Sequence, residues 1–367
     1  MKHSGVARGR GFFAILLLAP ILAGCAARAV PDGWAAPVAS GDIVVVHTES
    51  GALEAFRVQG SSATSVWRYP LSDTDPELKA VYATPLVMGD RVYVADYEGS
   101  VLALNVADGR PVADWVPPKA DGRFVASPVV DPNGRMILVT DNGDVLTLDL
   151  ATGALSTPVA RLDGRVWSSP VLSGETLYVA SVDRRVEAIS IPDGAVRWED
   201  TDSPVAGDLA LGAGSLLVGG FDQRVRAFDL GASGDERWAF DSNTWFWARP
   251  LVADGTVYVV DVDGILFALD ADTGAEQWRS SETFGEVRAE PALVGGLILV
   301  ASREGTIAAY DASSGALRWG PVDPEQGQLL ANPLVLDSGE VLYVSNEGSL
   351  LRVEPTSGNV TVLFERS

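Results

Sequence analysis

The sequence of 367 residues is 47% hydrophobic and 21% charged, which supplies a sizeable core and excludes a disordered or fibrous chain. Its formal net charge of −22 argues against nucleic acid and anionic lipid headgroups as binding surfaces and favours a basic partner, although plain solubility explains the same number. A single cysteine, Cys25, excludes an internal disulfide.

In chain order, Lys2, Arg8 and Arg10 precede a short apolar run from Phe12 to Leu22, followed by Leu22-Ala23-Gly24-Cys25. A run this short before small residues predicts a signal peptide over residues 1–24 rather than a membrane span. Leu-Ala-Gly-Cys resembles a bacterial lipobox, in which the cysteine thiol is acylated and becomes the mature N-terminus. An ordinary signal peptide with a chance cysteine is the alternative. The first reading predicts an exported protein anchored by lipid on Cys25, with a linker over 25–33 and a soluble body over 34–367. Losing the three basic residues of the leader takes the net charge from −22 to −25. Ala26 leaves both locations open: the periplasmic face of an outer membrane, or the outer face of the cytoplasmic membrane.

From there the chain repeats one unit eight times. Its clearest copy, Pro250 to Trp278, reads as four short strands separated by turns at Asp254-Gly255, Asp263-Gly264 and Asp272-Thr273-Gly274. The turn between second and third strands recurs at Ser50-Gly51, Glu98-Gly99, Asn142-Gly143, Asp183-Arg184, Asp222-Gln223, Asp263-Gly264, Glu304-Gly305 and Glu347-Gly348, in steps of 39 to 48 residues. A proline opens the first strand at Pro37, Pro85, Pro128, Pro170, Pro250, Pro291 and Pro333, where no ladder donor is needed; the fifth copy has Leu209 instead. The second strands, such as Val257 to Val260, are continuous apolar runs suited to burial on both faces. A tryptophan marks the fourth strand at Trp198, Trp238, Trp278 and Trp319, is displaced at Trp67 and Trp115, and is missing from copies three and eight. Its large area predicts a wedge between neighbouring units. An acidic insertion, Leu71 to Ala80, separates the first two copies. Four-strand units near 41 residues long predict an all-β fold, an eight-bladed β-propeller of four-stranded antiparallel blades. Copy eight supplies its own fourth strand, so the pattern does not show how the ring is latched.

The run Ala-Leu-Asp-x-x-Thr-Gly-x-x-x-Trp, here Ala268 to Trp278, resembles the tryptophan-docking repeat of the PQQ-like family, which includes quinoprotein dehydrogenases and BamB lipoproteins of outer-membrane protein assembly. The resemblance spans residues 34 to 367 and implies an eight-bladed ring. It implies two different functions, because fold and function separate readily. Quinoprotein alcohol dehydrogenases hold their cofactor beneath a disulfide of adjacent cysteines with calcium nearby, and this sequence has no such pair. Beyond His3 in the leader, the only histidine is His47, read as a strand-end or surface-turn residue rather than a base. Asp261-Val262-Asp263-Gly264 begins like a calcium loop but lacks the later ligands and falls on the repeat's own turn. The expectation is therefore no enzyme, no cofactor and no metal.

Binding has better candidates. Three residues before each first strand stand Trp34, Tyr82, Val125, Trp167, Ala206, Trp247, Arg288 and Leu330; one residue before it stand Ala36, Thr84, Ser127, Ser169, Asp208, Arg249, Glu290 and Asn332. In a closed ring each set forms a circle near one mouth of the channel. Trp245, Phe246 and Trp247, with Arg249 beside them and Trp167 in the same circle, make the expected docking patch for a protein partner in the cell envelope. A channel plug or packing between blades is the alternative. The BamB resemblance implies partner contacts through loops entering neighbouring blades; the matching stretches here, Ser203-Pro204-Val205 and Thr244-Trp245-Phe246, lack that family's Arg and acidic pair. The sequence thus predicts a lipid-anchored scaffold of BamB type. Alternatives are a propeller that binds a small molecule, polysaccharide or signal protein and, more remotely, a quinoprotein oxidoreductase.

Overall fold

Apolar strand runs and tight turns, with an opening proline in seven of the eight copies, make each repeat fold as an antiparallel sheet. In the computed structural model, residues 33–48, 52–76, 78–205, 207–231 and 233–365 are described. The leader, Cys25, the linker to residue 32, the Ser50-Gly51 turn and Ala206 lie outside them. The described residues form strands and turns without a helix, arranged as eight blades in sequence order. Seven blades have four strands; the sixth runs Leu251–Ala253, Thr256–Val260, Leu266–Asp270 and Glu276–Arg279. Blade two has three, because Pro111, Pro117 and Pro118 interrupt its outer ladder and leave isolated bridges such as Ser100 to Lys119.

The core is divided among eight seams, each a cluster of buried side chains drawn from two neighbouring blades. Second strands such as Thr256–Val260 are buried almost throughout, which is why they read as unbroken apolar runs. The tryptophans do wedge these seams. Each covers the glycine of the third turn in the next blade: Trp67 on Gly109, Trp115 on Gly153, Trp198 on Gly234, Trp238 on Gly274, Trp278 on Gly315 and Trp319 on Gly358. In four of them the indole N–H also donates across the seam, from Trp67 to the Val106 carbonyl at 2.7 Å and from Trp319 to that of Pro355 at 2.6 Å, for example. Trp115 differs: its N–H turns back to Val101 of its own blade at 3.2 Å.

The same turn explains the Asp-x-x-Thr-Gly run. The Asp270 carboxylate accepts the Thr273 N–H at 2.9 Å and its hydroxyl at 2.7 Å, bonds that hold its pKa below the usual range. Gly274 follows at φ 70°, a conformation that leaves its bare face to the Trp238 ring.

Among the described residues, closure uses no shared strand. Blade eight ends with its own Val360–Phe364, and the seam to blade one is sealed by Val44, Val46 and Phe56 against Leu342, Val344 and Leu350. The Phe56 and Phe364 rings meet at 4.7 Å. No tryptophan serves this seam. His47, at the end of the second strand of blade one, is only 6% exposed, which corrects the surface-turn alternative; burial depresses its pKa to about 4.

Candidate functional site at the channel mouth

The segment entering each first strand is extended, so its side chains alternate between two environments. Residues four before the strand are buried in the seams: Val81, Phe124, Val166, Val205, Phe246, Val287 and Leu329. Those three and one before it face the channel. Phe246 is 1% exposed, packed with Trp238 and Phe267. The expectation of three surface aromatics is corrected here, because Phe246 occupies the inward-facing column of the repeat and only its two neighbours can reach solvent.

The entering segments are also pinned. The turn after the second strand donates an N–H to the carbonyl five residues before the first strand in seven blades, as from Asp141 to Arg123 at 2.8 Å and from Val262 to Trp245 at 2.9 Å. These bonds tie each of those entering segments to a turn of its own blade.

Both predicted circles form. All seven described members of the first set line one cavity of about 300 Å³ at the channel mouth, with all of the second set except Glu290. Glu290 lines the bore behind it, a further volume of about 590 Å³. The second circle is stitched by hydrogen bonds between successive blades. The Ser127 hydroxyl accepts the Thr84 N–H at 3.0 Å, the Ser169 hydroxyl accepts that of Ser127 at 3.0 Å, and the Asp208 carboxylate accepts that of Ser169 at 2.6 Å. Further round, the Asn332 amide oxygen accepts the Glu290 N–H at 2.9 Å. Arg249 pairs with Glu290 at 3.7 Å. Burial raises the Glu290 pKa, Arg249 opposes that shift and Asp208 adds to it. Changing Ser127 to Ala leaves the Thr84 N–H without its partner; the expected loss is about 1 kcal/mol, read from the urea midpoint at constant m-value.

The structure brings Trp167, Trp247 and Arg249 to the same mouth, with Trp34 and Trp167 each 44% exposed. Trp245 lies in an adjoining shallow depression with Arg288. Its ring stacks on Phe221 at 4.9 Å, and Trp247 meets it edge-on at 5.8 Å. Phe221, 40% exposed, was not singled out from the sequence, since it sits on a turn rather than in either circle. On the other side, Trp34, Tyr82 and Tyr97 form an edge-to-face series at 4.5 and 5.1 Å. Arg123 covers Tyr97 at 4.9 Å and Arg288 covers Trp247 at 5.1 Å. Arg123 and Arg165 are also additions to the predicted site. A signal for them existed: they stand two residues before Val125 and Trp167, on the same face of an extended segment.

The calcium-like run is not arranged as a metal site. Asp261, at the start of the calcium-like run, spends its oxygens on the Ile265 N–H and the Ser242 hydroxyl, both at 2.9 Å. No group of three His, Cys, Asp or Glu among the described residues is placed to hold a metal ion.

A family model described as "Outer membrane protein assembly factor BamB" matches residues 28–161, 113–229 and 200–363, nearly the whole ring. The chain belongs to this BamB-type family. Its relatives include the outer membrane protein assembly factor BamB of Yersinia pestis, 25% identical over 66% of this chain and 55% of that protein. Another is the serine/threonine-protein kinase AfsK of Streptomyces griseus, 29% identical over 58% of this chain and 31% of that one. The chain thus spans about half the length, or less, of these curated relatives. Among solved structures, BamB from Moraxella catarrhalis superposes with a TM-score of 0.68 at 17% identity, covering 86% of this chain and 95% of the other. The designed protein Ika8 reaches 0.71 at 16% identity, covering 87% and 95%. Both likenesses concern the fold. The aromatic group of Phe221, Trp245 and Trp247 belongs to none of the eight seam clusters.

Proposed function

We propose that this protein is a non-enzymatic envelope scaffold, lipid-anchored through Cys25 after removal of residues 1–24, that serves outer-membrane protein assembly in the manner of BamB. It docks a protein partner on the mouth face of the propeller through Trp245, Trp247, Arg249 and Trp167, with Phe221 completing the patch. The anchor holds it at the periplasmic face of an outer membrane or the outer face of the cytoplasmic membrane. The observation that carries this reading is the family match across the ring, joined to solvent-facing aromatics that no seam uses. Against catalysis stands the composition of the mouth, where arginines and aromatics converge without a histidine or cysteine among the described lining residues.

The similarity to a protein named as a kinase favours one second reading, an extracytoplasmic propeller that binds a small molecule, polysaccharide or signal protein. The two are separated by crosslinking pull-down from native membranes, comparing the intact protein with a Trp245→Ala, Trp247→Ala variant. Phe246 is left unchanged because it is core. Recovery of an outer-membrane barrel protein or its periplasmic domains with the intact protein, and its loss with the variant, is the expected result. Recovery with both would move the docking surface elsewhere. Absence of assembly proteins from both would overturn the assembly role.

A further inference from the structure

All but three of the twenty described arginines lie within 4.0 Å of a carboxylate. The exceptions are Arg123, Arg165 and Arg197. Two of these three stand in the mouth cavity. In a chain of net charge −22, the cavity is not acidic like the molecule around it: four arginines stand with Asp141 and Asp208, and two of the four have no carboxylate within 4.0 Å. Arg249 and Arg288 are already neutralised by Glu290 and Glu286. Arg123 is held by Tyr97 alone, whose hydroxyl accepts from Nη1 at 3.1 Å. Its guanidinium therefore keeps donors directed to no carboxylate.

We propose that the mouth receives an extended, acidic segment of a protein partner, its carboxylates seated on Arg123 and Arg165. This rests on the reading of the mouth as the docking face. Guanidinium forks suit carboxylates in bidentate geometry. The exposed faces of Trp34 and Trp167 offer flat apolar surface to the main chain and intervening side chains. An extended chain is favoured over a compact anion by depth. Ser127, Ser169 and Asp208 line both the mouth and the bore behind it, so the space continues along the channel axis. The overall negative field does not forbid this, because it is screened over roughly 8 Å at physiological salt while the two arginines act at contact.

The test uses the full-length protein in detergent and fluorescence anisotropy of labelled, acetylated nonapeptides of alternating glutamate and valine. Matched peptides carry glutamine or lysine in place of glutamate, and free glutarate serves as competitor. The glutamate peptide should bind at least about ten-fold more tightly than either analogue, and an Arg123→Gln, Arg165→Gln variant should lose that margin. Arg123→Lys, Arg165→Lys should restore part of it, and Arg197→Gln should leave it intact. Equal binding of the glutamine peptide, or indifference to the double substitution in a variant with unchanged melting, would overturn the proposal. So would glutarate competing as well as the peptide, which would make this a small-acid site. The assay needs no envelope partner, so failure of the pull-down and failure of peptide binding are separate results.

Discussion

Replacing Trp238 by Ala is expected to lower the unfolding free energy by about 3–5 kcal/mol, read as a fall in the urea midpoint at constant slope. The ring is buried in the seam between blades five and six, among Leu217, Val225, Val257 and Phe267. Three losses combine: the apolar area, the seam volume left unfilled, and the Ala271 carbonyl, which now accepts the indole N–H at 3.0 Å. Collapse of the neighbours is resisted because Gly274 on the facing turn has no side chain to advance. Trp238→Phe should recover most of the packing but not the hydrogen bond, landing between the two. A fall below about 1 kcal/mol for the alanine variant would mean that the tryptophans are not the seam wedges described.

Acid should weaken the ring through His47, by about 3 kcal/mol in total. Its Nε2 is buried without a hydrogen-bond partner, at a small gap shared with Val344, Ser345 and Asn346 across the closing seam. Burial lowers its pKa from 6.5 to about 4. Between those two values the unfolded chain binds more protons than the folded one, so stability rises with pH across that window. The contribution is complete above the unfolded pKa and is lost as pH falls toward the folded one. Glu290, Asp96 and Asp261, with pKa values raised by burial, act in the opposite sense. The measurement is therefore a difference: urea midpoints of the native protein and His47→Gln at pH 7 and pH 4.5. The native protein should lose more stability than the variant on acidification. Parallel losses would show that His47 does not titrate in this window.

In the two proposals made above, the patch of Phe221, Trp245 and Trp247 and the arginine pair divide the mouth between two kinds of recognition. One offers apolar area to a folded surface, the other charge to an extended segment. None of these residues belongs to a seam cluster, so substitutions at them should separate binding from stability. Phe246 is the counterexample within the same tripeptide.

Local chemistry made most of the fold legible. Asp-Gly and Asn-Gly turns, prolines at strand starts and a period near 41 residues specify hairpins one after another, and only a closed ring lets every apolar second strand bury both faces. The two circles at the mouth were legible for the same reason, since a fixed offset from a repeated strand becomes a fixed radius once the ring closes. Phe246 could have been assigned too: Val81, Phe124, Val166, Val205, Val287 and Leu329 share its column, and alternation places that column inward. Three features belonged to the tertiary structure alone. The seam between blades eight and one is sealed by side chains from opposite ends of the chain, and no local pattern pairs Phe56 with Phe364. Phe221 meets Trp245 only because two neighbouring blades bring a turn and an entering segment together. The offset of Arg123 and Arg165 from Val125 and Trp167 is legible in sequence; that no carboxylate lies within 4.0 Å of either depends on the distances between elements and not on the order of residues.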